Sequence, residues 1–97
     1  MEETIYLNNL YDYYKELLTE KQQNYFEDYY HNNLTLSEIA ENNDISRNAV
    51  HKQLKETKKL LENYENKLNL IEKTNKIIEI IKKENKQKLL EEIERIL

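Results

Sequence analysis

The 97-residue sequence contains no glycine, no proline and no cysteine. Glycine and proline normally supply the turn conformations that strands and hairpins need, so their absence favours an all-helical protein. Without cysteine, disulfides and thiolate metal sites are excluded. The two histidines, His31 and His51, are isolated from each other in sequence, which argues against a structural zinc site. We expect no metal and no cofactor.

Long apolar segments are also absent. No apolar run approaches the roughly 20 residues of a membrane-spanning helix, and no signal-peptide pattern opens the chain. We therefore expect a cytoplasmic protein without membrane insertion. The length fits one compact domain, or one small domain with a helical appendage.

The formal net charge of −4 argues against a general nucleic-acid binder, but the charge is unevenly distributed. Residues 1–35 carry seven acids and two bases, and residues 36–45 add three acids. Residues 46–60 carry five bases and one acid, a net charge of +4, while residues 61–97 hold eight of each sign. Positive charge concentrated in one segment, as in residues 46–60, is what contact with nucleic-acid phosphates requires.

Residues 36–55, LSEIAENNDISRNAVHKQLK, have the pattern of a helix-turn-helix. Thr35 and Glu38 have capping-box spacing at the start of a first short helix. Asn42, Asn43 and Asp44 interrupt the helical pattern, and Asn and Asp tolerate the left-handed turn conformation well. Ser46 is the predicted N-cap of the second helix. The residues expected to build the motif are Thr35, Ile39, Ala40, Ile45, Ser46, Val50 and Leu54.

The outward face of the second motif helix is the candidate nucleic-acid-binding surface. In a helix-turn-helix this helix enters the major groove of DNA. The candidate residues are Arg47, Asn48, His51, Lys52, Lys55, Lys58 and Lys59.

Two further helices are predicted before the motif. Apolar residues recur at three- and four-residue intervals from Thr4 to Leu18, and Thr19 to Gln22 has a second capping-box pattern. The inner face of the second helix is predicted to be Tyr25, Phe26, Tyr29 and Tyr30.

Eight tyrosines raise the alternative of a stacking platform for single-stranded nucleic acid. We favour packing, with Tyr11, Tyr14, Tyr25 and Tyr29 burying their rings and keeping their hydroxyls hydrated, because the segment that holds them, residues 1–35, is acidic and carries two bases against seven acids.

After the motif, an apolar seam with no breaker predicts that the second motif helix continues to about Leu70, with Glu65 on its hydrated side. A weak break is predicted over Glu72–Asn75, with Thr74 as a cap. The stretch Lys82–Lys88 is either a turn or a solvated helix face.

Two apolar stripes flank this stretch: Ile77, Ile78, Ile80 and Ile81 before it, and Leu89, Leu90, Ile93, Ile96 and Leu97 after it. These stripes must pack on the body, on each other or on a second copy; we prefer a homodimer, with an intramolecular cap on the core as the alternative. The predicted division is residues 1–70 for the helix-turn-helix domain and residues 71–97 for a helical extension.

The sequence resembles the YlxM family of small bacterial proteins over about residues 5–71. The segments LLTEKQ, SEIAE and SRNAV carry the resemblance most strongly. The same region resembles the helix-turn-helix of region four of bacterial sigma factors. The resemblance implies an all-α fold with such a motif. Beyond about Asn75 the sequence diverges from the family, so the extended C-terminal helices are predicted from the apolar pattern and not from the resemblance. Genes of the family commonly lie beside those of the signal recognition particle GTPase or its receptor, which implies a regulatory role in that secretion pathway.

Matching the family motif residue by residue places its small residue at Ala40 and its cap at Ser46. Asn43 stands where an apolar or aromatic residue is usual, and Asp44 where Gly or Asn is usual. Gln23 replaces a frequent Arg. The departures at Asn43 and Asp44 are expected to loosen the contact between the two motif helices.

Three classes of function follow from these patterns. The first is a DNA-binding regulator, in which Arg47, Asn48 and His51 read bases and the lysines contact phosphates. The second is an adaptor that binds the RNA or the GTPase of the signal recognition particle without reading DNA. An enzyme is the third and is disfavoured, because no nucleophile–base pair, phosphate-cradling glycine loop or metal cluster is apparent.

Overall fold

The protein, described by a computed structural model over residues 2–84 and 87–97, is predominantly helical in those ranges and has no strand there. The predicted all-α fold is therefore confirmed. A 3-10 turn at Lys15–Leu17 ends the first helix earlier than the predicted Leu18. The molecule measures 53 × 25 × 22 Å. Its helices are α1 (Glu2–Tyr14), α2 (Glu20–Tyr30), α3 (Leu36–Asn43), α4 (Arg47–Leu68), α5 (Leu70–Lys83) and α6 (Gln87–Ile96).

Both predicted capping boxes form. The Thr19 hydroxyl accepts the Gln22 N–H at 3.1 Å, and the Gln22 side chain accepts the Thr19 N–H at 2.9 Å. Thr35 and Glu38 make the same reciprocal pair at 3.1 and 3.0 Å. Each box satisfies donors that a helix N-terminus otherwise leaves unpaired, so α2 and α3 begin where the local sequence dictates.

The turn between the motif helices is ordered by Asp44 and Ser46. Helix α3 continues through Asn42 and Asn43, which were predicted to interrupt it, and Asp44 adopts the predicted left-handed conformation at φ 52° and ψ 42°. The Ser46 hydroxyl accepts the Ala49 N–H at 3.0 Å and caps α4. Asn43, in place of the usual apolar residue, donates from its side-chain amide to the Ile39 carbonyl at 2.7 Å. The side-chain amide of Asn43 therefore forms a hydrogen bond at the C-terminal end of α3.

The motif helices pack around a small core of their own. Ile39 and Val50 are fully buried, Ala40 and Leu54 nearly so, and Tyr25 of α2 closes the cluster. Ile45 packs against it from the turn. These contacts fix α4 against α3 and α2, so the outward face of α4 is held rigidly with respect to the body.

A second core lies between α1, α2 and the middle of α4. Its buried residues are Leu7, Leu10, Tyr11, Tyr14, Leu18, Phe26 and Leu61. The Tyr11 ring stacks on Phe26 at 4.2 Å between centroids. Tyr30 packs against both cores and joins them into one body.

Two expectations about the tyrosines are wrong. The hydroxyls of Tyr11 and Tyr14 are bound to carboxylates instead of water: Tyr11 donates to Glu27 at 2.8 Å, and Tyr14 donates to Glu65. Tyr29 is not an inner-face residue, since 37% of its surface is exposed. The carboxylates come from other helices, so the spacing of the tyrosines alone could not indicate them.

The boundary between α4 and α5 differs from the prediction. Helix α4 ends at Leu68, close to the expected Leu70, but the break is a single left-handed residue, Asn69, at φ 54°. Thr74 is not a cap and is buried within α5. The Asn69 side chain does not cap α5, which leaves the first N–H groups of that helix to another acceptor.

Glu65 is that acceptor, although it was predicted to be hydrated. Its carboxylate accepts the N–H groups of Ile71 and Glu72 at 3.1 and 3.2 Å, and the Tyr14 hydroxyl. The Tyr14 hydroxyl in turn accepts the Leu70 N–H at 3.3 Å. Side chains of α1 and α4 therefore cap the start of α5.

The C-terminal apolar stripes pack on one another through α5 and α6, with Leu90 buried. Much of their surface remains exposed, including 62% of Ile80 and 83% of Ile96. The polar stretch predicted over residues 82–88 spans the end of α5 and the start of α6; Asn85 and Lys86 in it lie outside the described residues.

Candidate nucleic-acid interface

All seven candidate residues lie on α4, which extends for 22 residues from the Ser46 cap. Six are exposed, and Lys58 is half-buried. At 3.6 residues per turn, the seven positions fall within an arc of about 140° around the helix axis. Glu56, the acid among residues 46–60, lies outside this arc. We call this face of α4 the basic face; its members are Arg47, Asn48, His51, Lys52, Lys55, Lys58 and Lys59.

The basic face divides into two rows along α4. One row, which we call the inner row, borders the tyrosines of α2 and consists of Arg47, His51, Lys55 and Lys58. The other row, further around the helix, consists of Asn48, Lys52 and Lys59. The N-terminus of α4, where backbone N–H groups and the helix dipole favour anions, lies at the Arg47 end of both rows.

The N-terminus of α1 reaches one edge of the basic face. The Lys58 ammonium donates a hydrogen bond to the Glu3 carboxylate in an exposed ion pair. The hydrogen bond and charge of Lys58 lower the pKa of Glu3, and Glu3 raises the pKa of Lys58. Both groups stay charged near neutral pH, so Lys58 is the member of the basic face whose charge is partly offset.

Beside the inner row runs a groove that no motif in the sequence indicates. A space of 230 Å³ lies between Glu3, the paired tyrosines Tyr29 and Tyr30, and α4. It continues past Leu36 towards the loop that precedes α3 and towards Arg47. We call this whole depression the tyrosine groove.

The tyrosine groove brings aromatic and basic residues together although they are separate in sequence. Tyr29 and Tyr30 meet edge to face, with centroids 4.9 Å apart and planes at 86°. Burial raises the pKa of Tyr30, and the neighbouring Tyr29 and Glu3 raise it further. Tyr29 and Lys55 are 26 positions apart, so the charge pattern of the segment around the tyrosines could not indicate this arrangement.

A metal cluster and a membrane-spanning helix are both absent from the described residues. Within residues 2–84 and 87–97, no three His, Cys, Asp or Glu side chains are grouped so as to hold a metal ion. In those ranges no helix has both the length and the apolar character needed to cross a bilayer.

Comparison with known proteins agrees with the helix-turn-helix geometry. Residues 1–96 match the family UPF0122, described as "Putative helix-turn-helix protein, YlxM / p13 like". The match extends past residue 71, where the resemblance noted from the sequence ends.

Individual relatives are similar over most of the chain. A UPF0122 protein of Clostridium acetobutylicum is 52% identical over 89 residues, which are 92% of this chain and 76% of the relative. One of Shouchella clausii is 48% identical over 73 residues, 75% of this chain and 67% of the relative. One of Staphylococcus haemolyticus is 53% identical over 70 residues, 72% of this chain and 64% of the relative. The protein therefore belongs to the UPF0122 family of YlxM/p13-like proteins.

Proposed function

We propose that the protein is a DNA-binding regulator that places the basic face of α4 in the major groove of duplex DNA. The observation that carries the proposal is the charge pattern: residues 46–60 have a net charge of +4 in a chain of net charge −4. The fold concentrates these charges on one exposed face of the second helix of a helix-turn-helix. Neutralising phosphates is the dominant source of affinity in such complexes.

The residues have distinct roles in this proposal. Arg47, Asn48 and His51 lie in the first turns of α4, the part of a recognition helix that meets base edges. An arginine bound bidentately to guanine discriminates against other bases by about 1–3 kcal/mol. Lys52, Lys55, Lys58 and Lys59 continue along the helix and would contact phosphates, with Lys58 exchanging its Glu3 partner for one of them.

A homodimer is the second part of the proposal, and the exposed apolar surface of α5 and α6 supports it. Ile80, Ile96 and Leu97 are each more than half exposed, and residues 71–97 would form the extension through which two copies associate. A two-fold dimer would present two recognition helices about 34 Å apart, one turn of DNA. Sedimentation equilibrium of the intact chain measures this; a monomer at micromolar concentration would contradict it.

Resemblance to the YlxM family supports placing the regulator in the signal recognition particle pathway. The RNA and the GTPase of that particle are therefore the comparison ligands for any DNA measurement. A-form RNA has a major groove too narrow for a reading helix, so an RNA contact by α4 would involve backbone or loops.

The test is fluorescence anisotropy with labelled random duplex DNA over a salt series. Four to five cations on the basic face predict that log affinity falls with log salt with a slope of about −4. A double variant, Lys52→Glu with Lys59→Glu, should weaken binding at least about 100-fold and flatten the slope by about 2.

A matched control carries the same change in net charge outside the basic face: Lys67→Glu with Lys73→Glu, two exposed positions. This control should keep most of the wild-type affinity. Equal losses in both double variants would mean that net charge alone governs binding, and unchanged affinity in the first would overturn the proposal. Binding to the particle's RNA or GTPase without duplex binding would assign the protein to the adaptor class.

A further inference from the structure

We propose that the tyrosine groove binds a nucleotide of single-stranded nucleic acid, with its base against Tyr29 and its phosphate against the inner row of the basic face. This goes beyond duplex recognition by α4, because the groove lies to one side of that helix and is lined by α1, α2 and α3 as well.

The aromatic component is Tyr29. Its ring is braced by Tyr30 in an edge-to-face contact, yet 37% of the residue remains exposed. A tyrosine held in place on one side and open on the other is the element on which proteins stack unpaired bases, largely without regard to sequence.

The charged component is the row of cations along the opposite edge. Arg47, His51 and Lys55 line the groove and its continuation. Neither Arg47 nor Lys55 forms an ion pair with any residue in the ranges 2–84 and 87–97. Their charges are thus available to an anionic ligand, such as the phosphate of a nucleotide whose base stacks on Tyr29.

The part of the groove beside the paired tyrosines fits a single base. It has a volume of 230 Å³, below the roughly 300–1,000 Å³ of pockets that hold drug-sized molecules, and the continuation towards Arg47 adds 520 Å³ for the linked sugar and phosphate. A duplex cannot enter it, whereas a single splayed base can. The Glu3 carboxylate on the rim is an acceptor for an amino group of the base or for a sugar hydroxyl.

The experiment uses the intact chain and a fluorescein-labelled ten-residue oligouridine at low salt. Tyr29→Leu removes the stacking ring and keeps an apolar side chain; its affinity should fall about 5- to 100-fold, the range for loss of one base–aromatic stack. Tyr29→Phe keeps the ring and should bind within about two-fold of wild type. Circular-dichroism melting confirms that both variants are folded.

Photocross-linking provides a readout of position. An oligomer containing 5-iodouridine should cross-link to Tyr29 or Tyr30, as mapped by mass spectrometry of peptides. Equal affinities of the Leu and Phe variants, cross-links confined to other surfaces, or no oligouridine binding at low salt would each overturn the proposal. Competition by millimolar uridine monophosphate would identify a free nucleotide as the ligand source, and competition only by oligomers would identify a strand.

The same proteins separate this proposal from duplex recognition. Tyr29→Leu should leave duplex affinity unchanged, while Lys52→Glu with Lys59→Glu should weaken duplex binding and spare the oligouridine. Loss of duplex binding alone would leave the groove proposal intact, and loss of oligouridine binding alone would leave the duplex proposal intact.

Discussion

Replacing Glu65 by alanine is expected to destabilise the protein by about 2 to 4 kcal/mol, a large share of the roughly 5–15 kcal/mol typical of a domain. The carboxylate accepts three hydrogen bonds, from the Tyr14 hydroxyl and from the N–H groups of Ile71 and Glu72. Alanine leaves the hydroxyl of a tyrosine that is 1% exposed without its acceptor. It also uncaps α5, because the Asn69 side chain does not serve as a cap.

The magnitude follows from these two losses. A hydrogen bond to a charged group contributes about 1.5–3 kcal/mol, and removal of a helix cap costs about 1 kcal/mol. Water compensates partly, because Glu72 is exposed, so the full sum is an upper value. The measurement is urea denaturation followed by circular dichroism at neutral pH.

The matched control is Glu56→Ala, another glutamate on α4 that is exposed and makes no hydrogen bond or ion pair to the described part of the chain. Its free energy of unfolding should stay within about 0.5 kcal/mol of wild type. If Glu65→Ala were equally neutral, the carboxylate would not be the cap of α5, and the explanation given for the break at Asn69 would fail.

The charge of Glu65 adds a pH dependence. Partial burial alone would raise the pKa of Glu65, but the hydrogen bonds from Tyr14, Ile71 and Glu72 outweigh it, so the pKa lies below its ordinary value of 4.5. The stabilisation is therefore present above pH 4.5 and is lost as the pH falls through the lowered pKa of the folded state. Glu65→Gln should be less stable than wild type at pH 7, and the difference should shrink towards pH 3. A difference that stays constant with pH would show that ionisation of Glu65 contributes nothing.

Two further predictions concern Asp44 and Tyr14. Asp44→Gly should unfold within about 0.5 kcal/mol of wild type, whereas Asp44→Val should lose about 1–2 kcal/mol in thermal denaturation, because the left-handed conformation is unfavourable for a residue with a branched side chain. Equal stabilities would mean that the turn relaxes out of that conformation. Burial is the larger cause, and the hydrogen bond to Glu65 the smaller, of a rise in the pKa of Tyr14 from 10.0 to about 12. The free energy of unfolding should therefore decline as the pH rises from 10 towards 12. Urea midpoints across this range should fall less steeply in Tyr14→Phe, and parallel declines would contradict the assignment.

Local signals in the sequence located the helix starts well. Thr19, Thr35 and Ser46 each cap the helix that follows, because a cap depends only on residues two or three positions away. The left-handed turn at Asp44 was predictable for the same reason. These signals fixed the boundaries of the motif and hence the face that α4 presents.

The break between α4 and α5 was misplaced because its cause is not local. Several asparagines lie between residues 63 and 75, and each tolerates the left-handed conformation. What distinguishes Asn69 is the acceptor supplied by Glu65 together with Tyr14, a residue 51 positions from Glu65. A pattern of apolar residues along one helix carries no information about such a partner.

The same distinction separates the two candidate surfaces. The basic face could be predicted because its seven residues lie on one helix, where sequence spacing alone fixes their relative positions. The tyrosine groove combines Glu3, Tyr29 and Lys55, which only the packing of α1, α2 and α4 brings together.

The net charge of −4 is a poor guide to either surface. Exposed charges act over about 8 Å at physiological salt, so a phosphate near α4 responds mainly to the local cations. In the N-terminal part of the chain, Glu3 pairs with Lys58 and Glu27 binds the Tyr11 hydroxyl. The ion pair thus offsets the charge of Glu3 together with that of Lys58, whereas Glu27 keeps its charge, and the other cations of α4 dominate the potential at a phosphate bound on that face.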